Sequence, residues 1–563
     1  MGHFDERNRC GTPFAYIEAN WKVMQKMIFR LLSCSIMSVL TSPIFAQQAP
    51  SQDWFLKDPE TDKVQGVSAD RVYETLLKDQ PSRPITVAII DSGVDINHED
   101  LKDVIWTNEK EIPGNGIDDD KNGYIDDIHG WNFIGGKDGS NVNEDTYELT
   151  REYIRLKEKF ANVEGNKIPK KQKEEYEKYL KIKDKYTKLK EKNEAMYSQF
   201  ATLYLNFQKS VDTLKSTLKT DTLTMAQLEG YSPSVPAMMF AKGFITSKMK
   251  YFDGATIDEA LAEFKEAYDV YRVITEYGYN ENFDSRKIVG DHYTDVSEKG
   301  YGNNDVTGPD ALHGTHVAGI IGGNRKNDIG IKGIADNVRI MSVRTVPNGD
   351  ERDKDVANAI IYAVDNGANV INMSFGKSFS PEKDAVDKAV KYAEKKGVLL
   401  VHAAGNDGED IDKENNFPTR KYLDGKEAKN WIEIGASGWG TDEDFVASFS
   451  NYGKKGVDVF APGVEIYSTV PDNHYLMEQG TSMAAPMVTG IAAMLMSYFP
   501  DLTAEEVKDV IKKSTRKFDG LKVSEPGTQK KTEFSDLSNT GGLVNAYEAV
   551  KMAKDLQKSK LVK

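Results

Sequence analysis

Apolar and polar positions follow two different regimes along this chain. Residues 85–90 (Ile-Thr-Val-Ala-Ile-Ile) form a nearly continuous apolar run of strand length. A strand buried on both faces, as in a parallel sheet, reads this way. Comparable runs recur at 338–344, 370–374, 398–402, 431–436 and 457–460. Between and after them, 353–366, 381–396, 482–498 and 504–514 carry apolar residues at helical spacing. Strands alternating with helices predict an α/β fold, doubly wound on a mostly parallel sheet.

From about 144 to 287 the period changes. Tyr179, Ile182, Tyr186, Leu189, Asn193, Met196, Phe200, Leu203 and Phe207 recur at steps of three and four, a heptad seam. Over about 40 residues such a helix runs roughly 60 Å. Tyr153, Leu156 and Phe160 mark an earlier helix, and Thr256 with Glu259 forms a capping box ahead of Leu261, Phe264, Tyr268 and Tyr271. The block predicts an α-helical, coiled-coil-like insertion. It suits a packing appendage, a lid, a dimer contact or a substrate-selecting arm; self-association or partner binding through it stays open.

The organisation expected is therefore 1–46 as an export segment, 47–84 as an N-terminal arm with one amphipathic piece at 69–78, 85–143 as the first part of the α/β domain, 144–287 as the insertion, 288–553 as its second part, and 554–563 as a C-terminal tail. A length of 563 residues exceeds one typical core, and 39% hydrophobic content reads as globular. The formal charge of −15 argues against nucleic-acid binding through a basic surface.

Lys22, Lys26 and Arg30 lead into the apolar run 31–40, and Pro43-Ile44-Phe45-Ala46 precedes Gln47-Gln48. This predicts a secretory signal peptide cleaved after Ala46, with translation starting at Met1, Met24 or Met27, and a periplasmic or extracellular destination. The run is too short and polar for a stable membrane span. Leu31-Leu32-Ser33-Cys34 offers a lipoprotein acceptor, but apolar residues continue past Cys34, which weighs against it. Cys10 and Cys34 both precede the cleavage, so the mature chain is expected to lack thiols and disulfides. Bound cations are the natural alternative source of stability.

Three segments carry chemistry. Strand 85–90 ends in Asp91-Ser92-Gly93-Val94-Asp95, where α/β sheets place their sites. His313-Gly314-Thr315-His316-Val317-Ala318-Gly319 opens a small-residue helix; with no glutamate between the histidines and no third ligand nearby, a base at a helix start fits better than a metal pair. Gly480-Thr481-Ser482-Met483-Ala484-Ala485-Pro486 puts a hydroxyl at a helix N-terminus, where unpaired N–H groups and the helix dipole favour negative charge.

With these three segments in the order Asp, His, Ser, the chain resembles the subtilisin-like serine peptidases over about 85–143 and 288–553. The resemblance implies a serine endopeptidase in which Ser482 attacks the scissile carbonyl, His313 carries the proton and Asp91 orients His313. Ala403-Ala404-Gly405-Asn406 matches the family's oxyanion segment, so Asn406 is the implied oxyanion donor, with the Ser482 N–H beside it. Val370-Ile371-Asn372-Met373-Ser374-Phe375-Gly376 looks like the strand that pairs with extended substrate. Ser374, Phe375 and Gly376 would wall the first specificity pocket with Ala403, Ala404 and Gly405; its floor falls near 415–418, and apolar or large residues are the expected occupants. The same acyl-enzyme could pass to an amine, as in a transpeptidase or ligase, or the chain could be a partner-binding scaffold with incidental peptidase activity.

No organic cofactor is expected, but structural calcium is. In Asp118-Asp119-Asp120-Lys121-Asn122-Gly123-Tyr124-Ile125-Asp126-Asp127, oxygen ligands alternate around a glycine turn. Asp118, Asp120, Asn122 and the Tyr124 carbonyl start the set; His129 stands where glutamate is usual, so Asp126 or Asp127 must close it. A second, partial set combines Asp100 with the Asn327, Ile329 and Ile331 loop. Only about 40 residues separate Ala46 from the first strand, short of the pro-segment many relatives carry.

Overall fold

In the computed structural model, residues 51–561 are described, apart from Glu164, Asp253 and Gln529. The predicted export segment, 1–46, and both cysteines lie outside the described residues. The chain divides into two compact units, one ending at Glu148 and resuming at Asp284, the other Leu149–Phe283.

The first unit is built on nine strands. β1 (Ile85–Asp91), β2 (Gly130–Asn132), β3 (Val338–Arg344), β4 (Val370–Met373), β5 (Leu399–Ala403), β6 (Trp431–Ser437) and β7 (Val459–Pro462) pair in parallel. A hairpin of β8 (Ile466–Val470) and β9 (His474–Glu478) follows, then β10 (Arg516–Lys517), a small ribbon of β11 (Lys522–Ser524) and β12 (Lys531–Glu533), and β13 (Gly542–Leu543). The large sheet runs β10-β13-β7-β6-β5-β4-β1-β3-β2, with β10 and β13 antiparallel.

The apolar runs explain this sheet. In β1, Val87 and Ile89 join one buried cluster while Ala88 and Ile90 join the other, so both faces are covered. The helices are α1 (Leu312–Gly322), α2 (Asp353–Asp365), α3 (Lys383–Lys396), α4 (Thr481–Tyr498), α5 (Ala504–Lys513) and α6 (Ala546–Leu561). Residues of α1, α4, α5 and α6 pack on one face, and those of α2 and α3 on the other. β1 lies between β3 and β4, a topological switch point, so its C-terminal end opens on the crevice where such sheets bind ligands.

Predicted and observed bounds differ by one or two residues at most ends. The strands that escaped prediction are β2, the β8–β9 hairpin and β10 to β13. They are two to five residues long or have an exposed face, as in β9, and lack a continuous apolar run. The arm is part of the core: Trp54, Phe55, Val67 and Val72 are fully buried, and Trp54 Nε1 donates to Glu465 O at 3.1 Å. Its amphipathic piece forms a turn of α-helix, Ala69–Arg71, continued by a wider π-type turn, Val72–Leu76. The last helix continues past 553 to Leu561, burying Ala549, Val550 and Ala553.

The second unit is helical. Its long helix, Lys173–Leu218, has 46 residues, about 70 Å at 1.5 Å each. The seam is realised against more than one partner. Near its start Tyr186 stacks on Tyr153, centroids 4.2 Å apart. Further along, Phe200 stacks on Tyr271 at 5.3 Å and Phe207 meets Phe264 edge-on at 5.0 Å, both from the helix Ile257–Val273. Leu189, Asn193 and Met196, between these two stretches, are only half-buried. Thr256 and Glu259 form the expected capping box.

Candidate active site

Asp91 closes β1, and its Oδ1 accepts from the Ser92 N–H and from His313 Nδ1, each at 2.7 Å. An ionised carboxylate only accepts, so the ring proton sits on Nδ1 and Nε2 is left as the basic nitrogen. Glycine makes this approach possible. A Cβ on Gly314 would lie 2.1 Å from the Gly93 carbonyl, and Gly93 itself has φ +126°. The start of α1 is therefore flush against the turn after β1, which sets His313 on Asp91. His316, one turn on, is different in kind. Its Nε2 lies 3.0 Å from the Ile466 carbonyl and 3.2 Å from that of Leu476, and burial pushes its pKa down to about 3. It is a neutral, structural histidine.

Gly480 leads into α4, with Thr481 and Ser482 as its first residues. Pro486 lies inside the helix and has no N–H, so the Ser482 carbonyl loses its usual i+4 donor. Ser374 Oγ supplies the bond at 2.9 Å, and Ser482 Oγ donates to the Ser374 carbonyl at 3.2 Å. Asn372 Nδ2 donates to Ser374 Oγ (2.9 Å), and Thr489 Oγ1 to Asn372 Oδ1 (2.8 Å), so a buried chain of polar groups ties the helix start to the end of β4. Asn372, Ser374 and Thr489 were not singled out for this task; the proline four residues after Ser482 is the signal that a substitute donor is needed.

Asn406 is held by the same helix start. Its Oδ1 accepts from Thr481 N at 2.8 Å and Thr481 Oγ1 at 2.9 Å, while Gly405 N donates to Thr481 Oγ1 at 3.1 Å. The Ser482 N–H lies in the first helical turn, where no intrahelical acceptor is available. Ser374 and Phe375 continue β4, Ala403 ends β5, and Ala404 and Gly405 follow it; β4 and β5 are neighbours in the sheet.

Sequence reasoning also missed Arg344. It ends β3, in register with Asp91, and is 1% exposed. Its guanidinium donates to the Ser92 carbonyl (2.8 Å), Asn132 Oδ1 (3.1 Å) and the Val142 carbonyl (2.5 Å), and burial lowers its pKa to about 10. A buried cation is thus used to brace the turn that carries Asp91.

In the acidic loop, Asp118 and Asp120 converge with Glu111, ligand atoms lying within 4.8 Å of one another. Glu111 was not anticipated; it stands seven residues upstream, across the turn at Pro113-Gly114. It is 6% exposed and its Oε2 has no partner, a costly arrangement unless something positive faces it. Asp126 and Asp127 are engaged elsewhere. Asp126 accepts the Asn115 and Gly116 N–H groups, and Asp127 accepts Tyr362 Oη at 2.6 Å and the Asn108 and Asn122 amides. Burial raises the Asp127 pKa to about 6. The Asn122 oxygen takes the Tyr124 N–H, and the Tyr124 ring packs edge-on against Trp131 and Tyr362. In the second set, both Asp100 oxygens already accept N–H donors, from Asn327 Nδ2 at 2.8 Å and Ile331 N at 3.0 Å, and Ile329 is exposed.

A doubly wound sheet with an acid–histidine pair at its switch point, and a serine opening a neighbouring helix, is an α/β architecture suited to acyl transfer. The chain belongs to the subtilase family, whose profile matches residues 82–540. It is 41% identical over 240 residues to the "Thermophilic serine proteinase" of Bacillus sp. (strain AK1), covering 42% of this chain and 52% of that protein. Over 255 residues it is 35% identical to "Subtilisin DY" of Bacillus licheniformis, covering 45% and 85%. Over 270 residues it is 36% identical to "Thermitase" of Thermoactinomyces vulgaris, covering 46% and 85%. The first of these relatives is thus matched over about half its own length.

Proposed function

We propose that this chain is an exported serine endopeptidase, periplasmic or extracellular, hydrolysing peptide bonds of protein substrates through an acyl-enzyme. The observation that carries the reading is the 2.7 Å bond from His313 Nδ1 to Asp91 Oδ1, which leaves Nε2 as the base. Ser482 Oγ adds to the scissile carbonyl as His313 Nε2 takes its proton. Asn406 Nδ2 and the Ser482 N–H hold the resulting oxyanion. His313 then protonates the departing amine, and water repeats the sequence on the ester. Asp91 stabilises the imidazolium, extended substrate pairs along 370–376, and Ser374, Phe375 and Gly376 wall the first specificity pocket with Ala403, Ala404 and Gly405. Membership of the subtilase family supports this assignment. Among the described residues no helix is long and apolar enough to cross a membrane.

Calcium is proposed for the first acidic set alone, held by Glu111, Asp118 and Asp120. Three hard carboxylates with one buried oxygen unpaired fit that ion, which would offset two of their three negative charges when bound. Purified protein is expected to degrade unfolded casein, and Ser482→Ala to lose at least about 10⁴-fold of that rate. A folded Ser482→Ala variant that retained the activity would end the peptidase reading.

A further inference from the structure

If 374–376 and 403–405 wall the first pocket, as the proposed function holds, the gap between them should admit the side chain of the residue whose carbonyl is attacked. In this chain that gap is crossed by Asn416. Its carboxamide lies against Gly376 and within reach of Gly405. A Cβ on Gly376 would lie 2.2 Å from Asn416 Oδ1 and 2.8 Å from both its Cγ and Nδ2. A Cβ on Gly405 would first meet Asn451 Nδ2, at 2.4 Å, and would lie 3.2 Å from Asn416 Nδ2 and 3.3 Å from its Cγ. The amide therefore fills the space a side chain at Gly376 would take and lies close to that of Gly405.

It is also held there. Asn416 Nδ2 donates to the Ala403 carbonyl at 3.1 Å, on the second wall. The next residue pairs with the first wall: Lys377 N donates to Phe417 O at 3.0 Å, and Phe417 N to Lys377 O at 2.8 Å. Lys377 is itself fixed by Glu148 Oε2, Asp353 Oδ1 and the Glu351 carbonyl, at 2.8 to 2.9 Å. Neither the amide nor the segment carrying it can swing away without breaking these bonds.

We propose that Asn416 closes the first pocket and makes this enzyme cleave after small residues, glycine, alanine or serine, rather than after large apolar ones. A phenylalanine or leucine side chain entering between the two walls meets the carboxamide and would have to displace it from the Ala403 carbonyl. An alanine methyl or a serine hydroxymethyl stops short of it. One methylene of misfit in a pocket changes discrimination about 10- to 200-fold, so an obstruction of several atoms should dominate the preference.

The test is a series of otherwise identical tetrapeptide p-nitroanilides ending in Ala, Ser, Leu or Phe, with kcat/KM measured on active-site-titrated protein. Wild type should favour Ala over Phe at least tenfold. Asn416→Gly should raise the Phe-to-Ala ratio at least tenfold, and Asn416→Ala should raise it less; the second variant decides if the first is unfolded by melting temperature. A wild-type preference for Phe or Leu, or a ratio unmoved in both variants, overturns the proposal while leaving the peptidase reading intact. No hydrolysis of the series or of casein by folded wild type overturns that reading, and the proposal with it.

Discussion

The sheet unit and the helical unit differ in what their sequences must satisfy. Around the candidate site, the packing leaves no room for even one added carbon at key glycines. Gly314 has no room for a methyl against Gly93, and Pro486 forces Ser374 to serve the Ser482 carbonyl. In the helical unit the requirement is looser. Tyr186, Phe200 and Phe207 need a flat apolar partner, and Tyr153, Tyr271 and Phe264 supply it. Chemistry depends on atoms held in one place, whereas helix packing depends on buried area, and the tolerance to substitution should follow that division.

The largest effect should come from Gly314→Ala. Its methyl cannot fit, so α1 and His313 must shift away from Asp91; a displacement of about 1 Å costs on the order of 10²-fold. We expect kcat/KM to fall at least that much, with melting temperature reporting any accompanying loss of stability. Next is Asn406→Ala. Loss of one oxyanion donor costs about 3 kcal/mol, so kcat should fall about a hundredfold with KM little changed. A rise in KM at unchanged kcat would place Asn406 in ground-state binding instead.

Phe207→Ala tests the other side of the division. Removing a fully buried aromatic should cost about 3–5 kcal/mol of local stability. Hydrogen exchange should quicken across 173–218, while kcat/KM on a tetrapeptide stays within about twofold. A tenfold loss of activity would show that the helical unit does more than pack. The smallest effect should be chelation. A ligand present at 100 times its Kd contributes about 2.7 kcal/mol, so excess EGTA should lower the melting temperature and quicken exchange around 108–127. Unchanged melting in chelator would remove calcium from the account.

Much of the sheet unit was legible because strands buried on both faces write continuous apolar runs, and because Asp91, His313 and Ser482 lie inside glycine-marked segments. Glu111, Arg344, Asn372 and Thr489 were not legible, since each acts through residues distant in sequence that only folding brings together. The acidic loop shows the limit well. Alternation predicted oxygen ligands in a row, whereas Asp126 accepts the Asn115 and Gly116 N–H groups, Asp127 accepts Tyr362 Oη, and Glu111, from the preceding turn, converges with Asp118 and Asp120. The helical unit's period gave its long helix, while the change of partner midway along the seam left no mark beyond the half-buried Leu189, Asn193 and Met196.

The central claim is that Ser482 is a nucleophile activated by His313. Its most direct test is to react the folded protein with a fluorophosphonate probe and map the adduct by peptide mass spectrometry. Stoichiometric modification of Ser482, slowed at least about a hundredfold in His313→Ala, is the predicted result. Modification elsewhere, or a labelling rate indifferent to His313, would contradict the account.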